Sequence, residues 1–291
     1  MQGEEKAEKK ELSIVDDFIS SIWSAPFLFF NNCKLFGENL YHFSVYERYN
    51  LIKKKRGLKM KLNKGYFVTG TDTGIGKTYV SAFLYKAVKK YEGTYYKPIQ
   101  SGCIEKNGKL TAPDIDFVCS FNNEKYDISK GTYFLKEEVS PHLAAEIENI
   151  EINFEKIKKD WESLKNKYKT IIAEGAGGVY VPLVRDRYFI YNLIKDLNIP
   201  VILVCSVKVG AVNHALLTIN FLKNIGIKIH GIVFNNVSEN IKNFEKDNIE
   251  IILKTGEIKK YLVIKENQKN ISEDEILKFL NIEINLEENN E

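Results

Sequence analysis

The stretch Gly70-Thr71-Asp72-Thr73-Gly74-Ile75-Gly76-Lys77-Thr78 follows the apolar run Tyr66-Phe67-Val68 and precedes YVSAFLYKAVKKY, which has helical spacing in Val80, Phe83, Leu84, Ala87 and Val88. A strand that breaks into a glycine-rich turn and reopens as a helix aims backbone N–H groups and a helix N-terminus at an anion. The spacing is one residue off the common phosphate-loop pattern, which wants glycine at position 71, where Thr71 stands. The physics survives that shift. Gly74 and Gly76 let backbone approach phosphate, Lys77 offers a point charge to the outer phosphates, and Thr78 offers a hydroxyl to Mg²⁺. Against a chance Gly-Lys-Thr in a simple turn, the flanking strand and helix favour nucleotide binding.

Downstream the pattern alternates. TYYKP reads as a second strand ending at Pro98, and a loop-rich stretch runs through APDIDFVCSF and SPHLAAEIE. FEKIKKDWESLKNKY reads as a helix with Phe154, Ile157, Trp161 and Leu164 on one face. TIIAEG is a strand of the buried type, YFIYNLIKDLN a helix, PVILVCSV the most apolar strand, HALLTINFLKNIG a helix stopped by Gly226, and IHGIVFNNV a strand. Strands alternating with helices imply an α/β fold: a mostly parallel, doubly wound sheet with helices on both faces, spanning residues 60–291 as one domain.

Bulk properties exclude several classes. A formal net charge of +3 over 291 residues points to neither a nucleic-acid nor a membrane partner. The four cysteines (Cys33, Cys103, Cys119 and Cys205) form no C-x-x-C pair and read as free thiols of a reducing, cytoplasmic compartment. FISSIWSAPFLFF is too short to span a bilayer, and the mixed charges before it make a poor signal peptide.

Two further features carry chemistry. The apolar strand TIIAEG ends in Glu174, followed by Gly175, Ala176, Gly177 and Gly178. An acidic residue at a strand end reaches the metal in many phosphate-loop proteins, and the glycines allow a ligand against the backbone. In YYKPIQSG, Lys97 stands at the carboxyl end of a strand, the edge where α/β folds bind ligands, although a lone lysine there is ordinarily solvated.

GTDTGIGKT, YYKPIQSG, SPHLAAE, EGAGGVYVPL, VILVCSVKVGAVNHALLT and GIVFNNV occur together and in order, and over residues 64–260 the chain closely resembles the dethiobiotin synthetases. Their loop has the form G-T-D-T-x-x-G-K-T, so the one-residue shift is a family feature. The resemblance implies a phosphate-loop NTPase fold and an ATP-dependent ligase. That ligase joins CO₂ to the diamine 7,8-diaminononanoate and closes a cyclic urea through a carbamate and a carbamic-phosphoric anhydride.

By position, the resemblance makes Lys77 and Lys97 the catalytic cations. It makes Gly74, Ile75, Gly76, Lys77, Thr78, Tyr79, Asp114, Glu174, Gly175, Ala176, Gly177, Asn235 and Asn236 the ATP site, with the two asparagines reading adenine. Thr78, Asp114 and Glu174 become Mg²⁺ ligands, with Asp116 the alternative to Asp114. Thr73 and Ser101 become substrate contacts. The resemblance also implies a homodimer, with Lys208, Gly210 and Asn213 near its interface and the substrate tail. His142 reads equally as a packed or capping residue, and Trp161 as core. The segment LKTGEIKKYLVIKEN departs from the usual G-x-I-P, which leaves its base contacts open.

Rival readings fit less well. A cobalamin-type amidoligase needs a second, glutamine-hydrolysing domain, and too few residues follow position 260. A partitioning ATPase carries a second lysine where Asp72 stands. A small-molecule kinase brings an arginine-rich lid, and beyond residue 60 only Arg185 and Arg187 occur. Residues 1–59 lack the strand–helix alternation. They are expected to be disordered or an artefact of a mis-assigned start, because Met60 opens MKLNKGYFVTG and Arg56-Gly57 fits a purine-rich ribosome-binding sequence just before it.

Overall fold

The computed structural model describes residues 59–61, 65–106 and 108–285. The expectation for residues 1–59 lies outside these, apart from Lys59. In chain order, β1 (Lys59–Lys61) precedes β2 (Tyr66–Gly70), α1 (Lys77–Lys89), β3 (Gly93–Gln100), β4 (Ile104–Lys106), β5 (Lys109–Thr111) and α2 (Pro113–Phe121). Next come β6 (Gly131–Phe134), α3 (Pro141–Ile147), α4 (Phe154–Lys167), β7 (Thr170–Gly178), β8 (Pro182–Val184), β9 (Tyr188–Phe189) and α5 (Ile190–Leu197). The chain continues through β10 (Val201–Cys205), α6 (Ala211–Asn224), β11 (Ile229–Val237), α7 (Asn243–Thr255), β12 (Tyr261–Lys265), α8 (Glu273–Phe279) and β13 (Glu283–Asn285).

Seven strands form one sheet in the order β12-β11-β10-β2-β7-β3-β6. Every pairing in it is parallel. The first crossovers build outward from β2 towards β6, and the later ones build from β10 towards β12, which is the doubly wound arrangement the alternation implies. Strands β2, β3 and β10 are buried along their whole length, as strands covered on both faces are; β2 and β10 are near-continuous apolar runs, whereas β3 buries Lys97 and Gln100 at its carboxyl end. Trp161 of α4 fills the space beneath β3 and β7 and is 6.2 Å from the Tyr96 ring, in agreement with its reading as core. Gly226, at φ 76°, follows the end of α6 as expected.

Three expectations need correction. β3 does not end at Pro98 but runs on to Gln100. Its pairing with β7 stops at Tyr96, while Lys97, Ile99 and Gln100 pair with β6, so no ladder bond is asked of the missing N–H. The stretches read as loops around APDIDFVCSF and SPHLAAEIE contain α2 and α3. Each begins with proline at its first turn, where the fixed φ is favourable and the absent N–H has no partner to lose. Finally, β7 continues past Gly175 to Gly178, because Gly70 and Gly178 still pair.

Candidate active site

The carboxyl edge of the sheet gathers the functional segments: the loop after β2, the end of β3, the end of β7, and the ends of β11 and β12. The loop Thr71–Gly76 is held by its neighbours. Thr71 N donates to Val204 O at 3.1 Å, and Asp72 Oδ1 accepts from Thr73 N at 2.7 Å. Gly74 and Gly76 take φ of 70° and 91°, the left-handed region that favours glycine. At Gly76 there is also no room: a Cβ would stand 2.1 Å from Asn235 Nδ2. That same nitrogen donates to Ile75 O at 3.0 Å, so the end of β11 fixes the turn from which α1 starts. Lys77 opens α1 and is buried, and its ammonium donates to Asp72 O at 3.0 Å. Burial, then repulsion from Lys97, pulls the Lys77 pKa below its ordinary value.

Next to this loop lies a buried charge cluster. Lys97 Nζ is 2.6 Å from Asp114 Oδ2 and 2.9 Å from Glu174 Oε1, and it donates to Gly175 O at 3.0 Å. Thr78 Oγ1 donates to the same Glu174 Oε1 at 2.9 Å, and Tyr95 Oη donates to Glu174 Oε2 at 2.9 Å. Burial alone would pull the Lys97 pKa down, but the Glu174 and Asp114 carboxylates outweigh it and raise the pKa above the usual lysine range. Burial likewise pushes the Asp114 carboxyl up. The Lys97 ammonium, with hydrogen bonds from Lys97, Thr78 and Gln100, brings it below its ordinary value. The groups therefore stand charged and hydrogen-bonded to one another, the condition under which buried charge is tolerated. Asp116 instead pairs outward with Lys106 at 2.8 Å, so Asp114 is the aspartate in the cluster.

On the other side of the loop, a cleft of about 360 Å³ is lined by Gly74, Ile75, Tyr79, Asn235, Asn236, Lys265 and Asn267. Its size lies at the lower end of the range for small-molecule pockets. Asn236 is exposed, with φ 58°. Tyr79 of α1 hydrogen-bonds Gln268 O, and Gln268 Oε1 accepts from Lys265 N at 2.8 Å, which ties the loop after β12 to the cleft.

The geometry thus brings Lys77, Thr78, Lys97, Asp114, Glu174 and Gly175 together, and sets Gly74, Ile75, Tyr79, Asn235 and Asn236 around the adjoining cleft. Thr73 is exposed beside Gly177, whose φ is 67°, and Ala176 and Ser101 are half-buried at the same edge. His142 is also half-buried, and its Nδ1 has no partner among the described residues. Lys208 and Asn213 are exposed, and Gly210 caps α6. Sequence reasoning missed Tyr95, Lys265 and Asn267. Tyr95 was hidden inside an apolar strand, and the other two, at the end of β12 and just beyond it, carry no motif.

The chain is similar to several known proteins. The AAA domain family AAA_26 matches residues 64–273. A solved plasmid partition protein from Borrelia burgdorferi is similar over 76% of this chain and 97% of its own, at 16% identity and a TM-score of 0.49. The ATP-dependent dethiobiotin synthetase BioD of Clostridium acetobutylicum is 42% identical over 72% of this chain and 91% of its own length. That of Fusobacterium nucleatum is 59% identical over 75% of this chain and 99% of its own. With identity that high along nearly the whole of a relative, and with the phosphate loop, Lys97 and Glu174 converging as described, the chain belongs to the family of ATP-dependent dethiobiotin synthetases.

Proposed function

We infer that the protein is the ATP-dependent cyclo-ligase of biotin synthesis. It carboxylates 7,8-diaminononanoate with CO₂ and closes the ring to dethiobiotin, releasing ADP and phosphate. The observation that carries this reading is Glu174, which receives Thr78 of the phosphate loop and Lys97 of β3 on one oxygen. Nucleotide loop and cation are thereby held at one point, where each stage of the reaction adds negative charge.

One amine of the substrate captures CO₂ as a carbamate. The carbamate oxygen attacks the γ-phosphate of ATP, and the second amine then displaces phosphate. Lys97 meets the carbamate with an ammonium kept charged by two carboxylates, and Lys77 meets the outer phosphates. Both act as preorganised charge where anions develop, the strongest single contribution available in a water-poor site. Thr73 and Ser101 hydrogen-bond the carbamate or the amines in this reading. The cleft beside the loop takes the base, with Asn236, Lys265 and Asn267 at its wall and Asn235 bracing the loop.

Thr78, Asp114 and Glu174 fit Mg²⁺, since all three are hard oxygen donors and all three meet at Lys97 or Glu174. When bound, Mg²⁺ neutralises charge on the β- and γ-phosphates. We further read the protein as a homodimer that joins through the face around α6. We place it in the cytoplasm, with which the three buried free thiols Cys103, Cys119 and Cys205 agree. Among the described residues no helix is long and apolar enough to cross a membrane. The test is phosphate release that requires the diamine, with labelled CO₂ recovered in a cyclic product. Phosphate release independent of the diamine would overturn the reading.

A further inference from the structure

Gln100 is the last residue of β3, three positions beyond Lys97, and it is 7% exposed. Its Nε2 donates to Ser101 O at 3.0 Å, and its amide is near enough to help hold the Asp114 carboxyl below its ordinary pKa. Its Oε1 is buried and has no hydrogen-bond partner among the described residues. Turning the amide over would not relieve this, because Oε1 would then face a carbonyl and a carboxylate, both acceptors. A buried polar atom left unpaired is uncommon and calls for a partner.

Both carboxylates of the cluster already carry partners. Glu174 receives Thr78, Lys97 and Tyr95, and Asp114 receives Lys97. Gln100 Oε1, beside Ser101 at the substrate edge, is thus an uncharged acceptor with no protein donor among the described residues. A diamine is rich in N–H donors.

We propose that Gln100 is a substrate-binding residue whose Oε1 accepts an N–H of the reacting amine, an inference that rests on the diamine reading above. The neutrality of this acceptor suits the chemistry. An amine attacks CO₂ only when unprotonated, and a carboxylate in this place would stabilise the ammonium form instead. An amide carbonyl orients the N–H with far less preference for the cation, leaving the nitrogen lone pair for the carbon of CO₂.

The test compares the wild type with Gln100→Met, which keeps length and volume but has no oxygen. The KM for 7,8-diaminononanoate is measured at saturating ATP, and ATP affinity is measured by calorimetry without the diamine. Loss of one hydrogen bond to an uncharged group should raise the diamine KM about tenfold. ATP affinity should stay within about twofold of wild type. An unchanged diamine KM overturns the proposal. So does an equal fall in ATP affinity, which would mean that Gln100 acts only by supporting Asp114. If Gln100→Met melts far below wild type, Gln100→Leu gives the same comparison and the same criteria apply. A wild-type enzyme with no diamine-dependent phosphate release overturns the functional reading and this proposal together, whereas normal wild-type turnover with an unmoved KM in the variant overturns this proposal alone.

Discussion

The Lys97 ammonium stands 2.9 Å from Glu174 Oε1, with the lysine side chain 4% exposed and the glutamate 0%. Such a pair, cut off from water, keeps a full positive charge where the proposed reaction forms its carbamate. Lys97→Ala should therefore lose about 10²–10³-fold in turnover, the usual cost of deleting one preorganised donor to developing charge. It should still bind Mg-ATP, because the phosphates are met by the loop and Lys77. Lys77→Ala should lose ATP binding itself. Calorimetry with ATP beside single-turnover assays separates the two, and near-normal turnover in Lys97→Ala would end the assignment.

Tyr95 holds the opposite oxygen of Glu174 from the one that Thr78 and Lys97 share. Tyr95→Phe keeps the ring in its buried place and removes only a hydrogen bond to an ionised group, worth about 1.5–3 kcal/mol. The melting temperature should fall by several degrees. The Mg²⁺ concentration giving half-maximal rate should rise, since Glu174 is then oriented from one side only. Thermal melts and a Mg²⁺ titration check this, and a variant unchanged in both would refute it.

What could be read in advance follows from how local each cause is. β2, the loop and α1 lie consecutively, and an apolar strand, glycines and a 3.6-residue period announce them without help from the rest of the chain. Glu174 was legible for the same reason, as the polar end of an apolar strand. Tyr95 and Gln100 were not, because whether a strand residue faces the site depends on which strand lies beside it. Lys265 and Asn267 reach the cleft only because β12 pairs with β11 at the sheet edge. Pro98 misled because the rule against proline in strands assumes a ladder bond at that position, and the β7 partner ends two residues earlier.

Gly76 joins the loop to β11. A methyl group there would meet Asn235 Nδ2 at 2.1 Å while φ stays at 91°. Gly76→Ala should weaken ATP binding by well over tenfold, since the turn must open to admit it. Adding Asn235→Ala should restore only part of the affinity, because the contact is relieved but the left-handed backbone still opposes alanine. Full recovery in the double variant would mean that the clash alone mattered.

His230 gives the fold an acid-sensitive contact away from the site. It packs between Tyr66 and Phe279, and its Nε2 is 2.6 Å from Phe279 O. Burial, helped by Lys260 and Lys228 and opposed by the Phe279 carbonyl, lowers its pKa below 6.5. Folding thus favours the neutral ring. Its contribution is complete above the unfolded value near 6.5 and is lost as pH falls through the lower folded value. His230→Gln, which can still donate to Phe279 O but does not titrate, should lose less melting temperature than wild type between about pH 7.5 and 5. Equal losses would contradict this.

The proposed homodimer can be tested on one helix. Asn213, Leu217 and Phe221 of α6 are four residues apart and share a face. Leu217 is 63% exposed, and Val209 just before the helix is 94% exposed. The Phe221 ring touches Tyr180 and Tyr191, with centroids 5.1 and 5.3 Å away, and Tyr180 is itself 60% exposed. An apolar, aromatic surface of this kind is costly to leave in water and is the usual centre of an interface between copies of one chain. Leu217→Glu would place a charge within that surface on both copies, facing its own equivalent or a buried ring. Light scattering across a dilution series should give a dimer for wild type, and a monomer for Leu217→Glu at concentrations where wild type stays paired. A monomeric wild type at assay concentration with full activity would overturn the dimer. A variant that pairs as tightly as wild type would move the interface elsewhere.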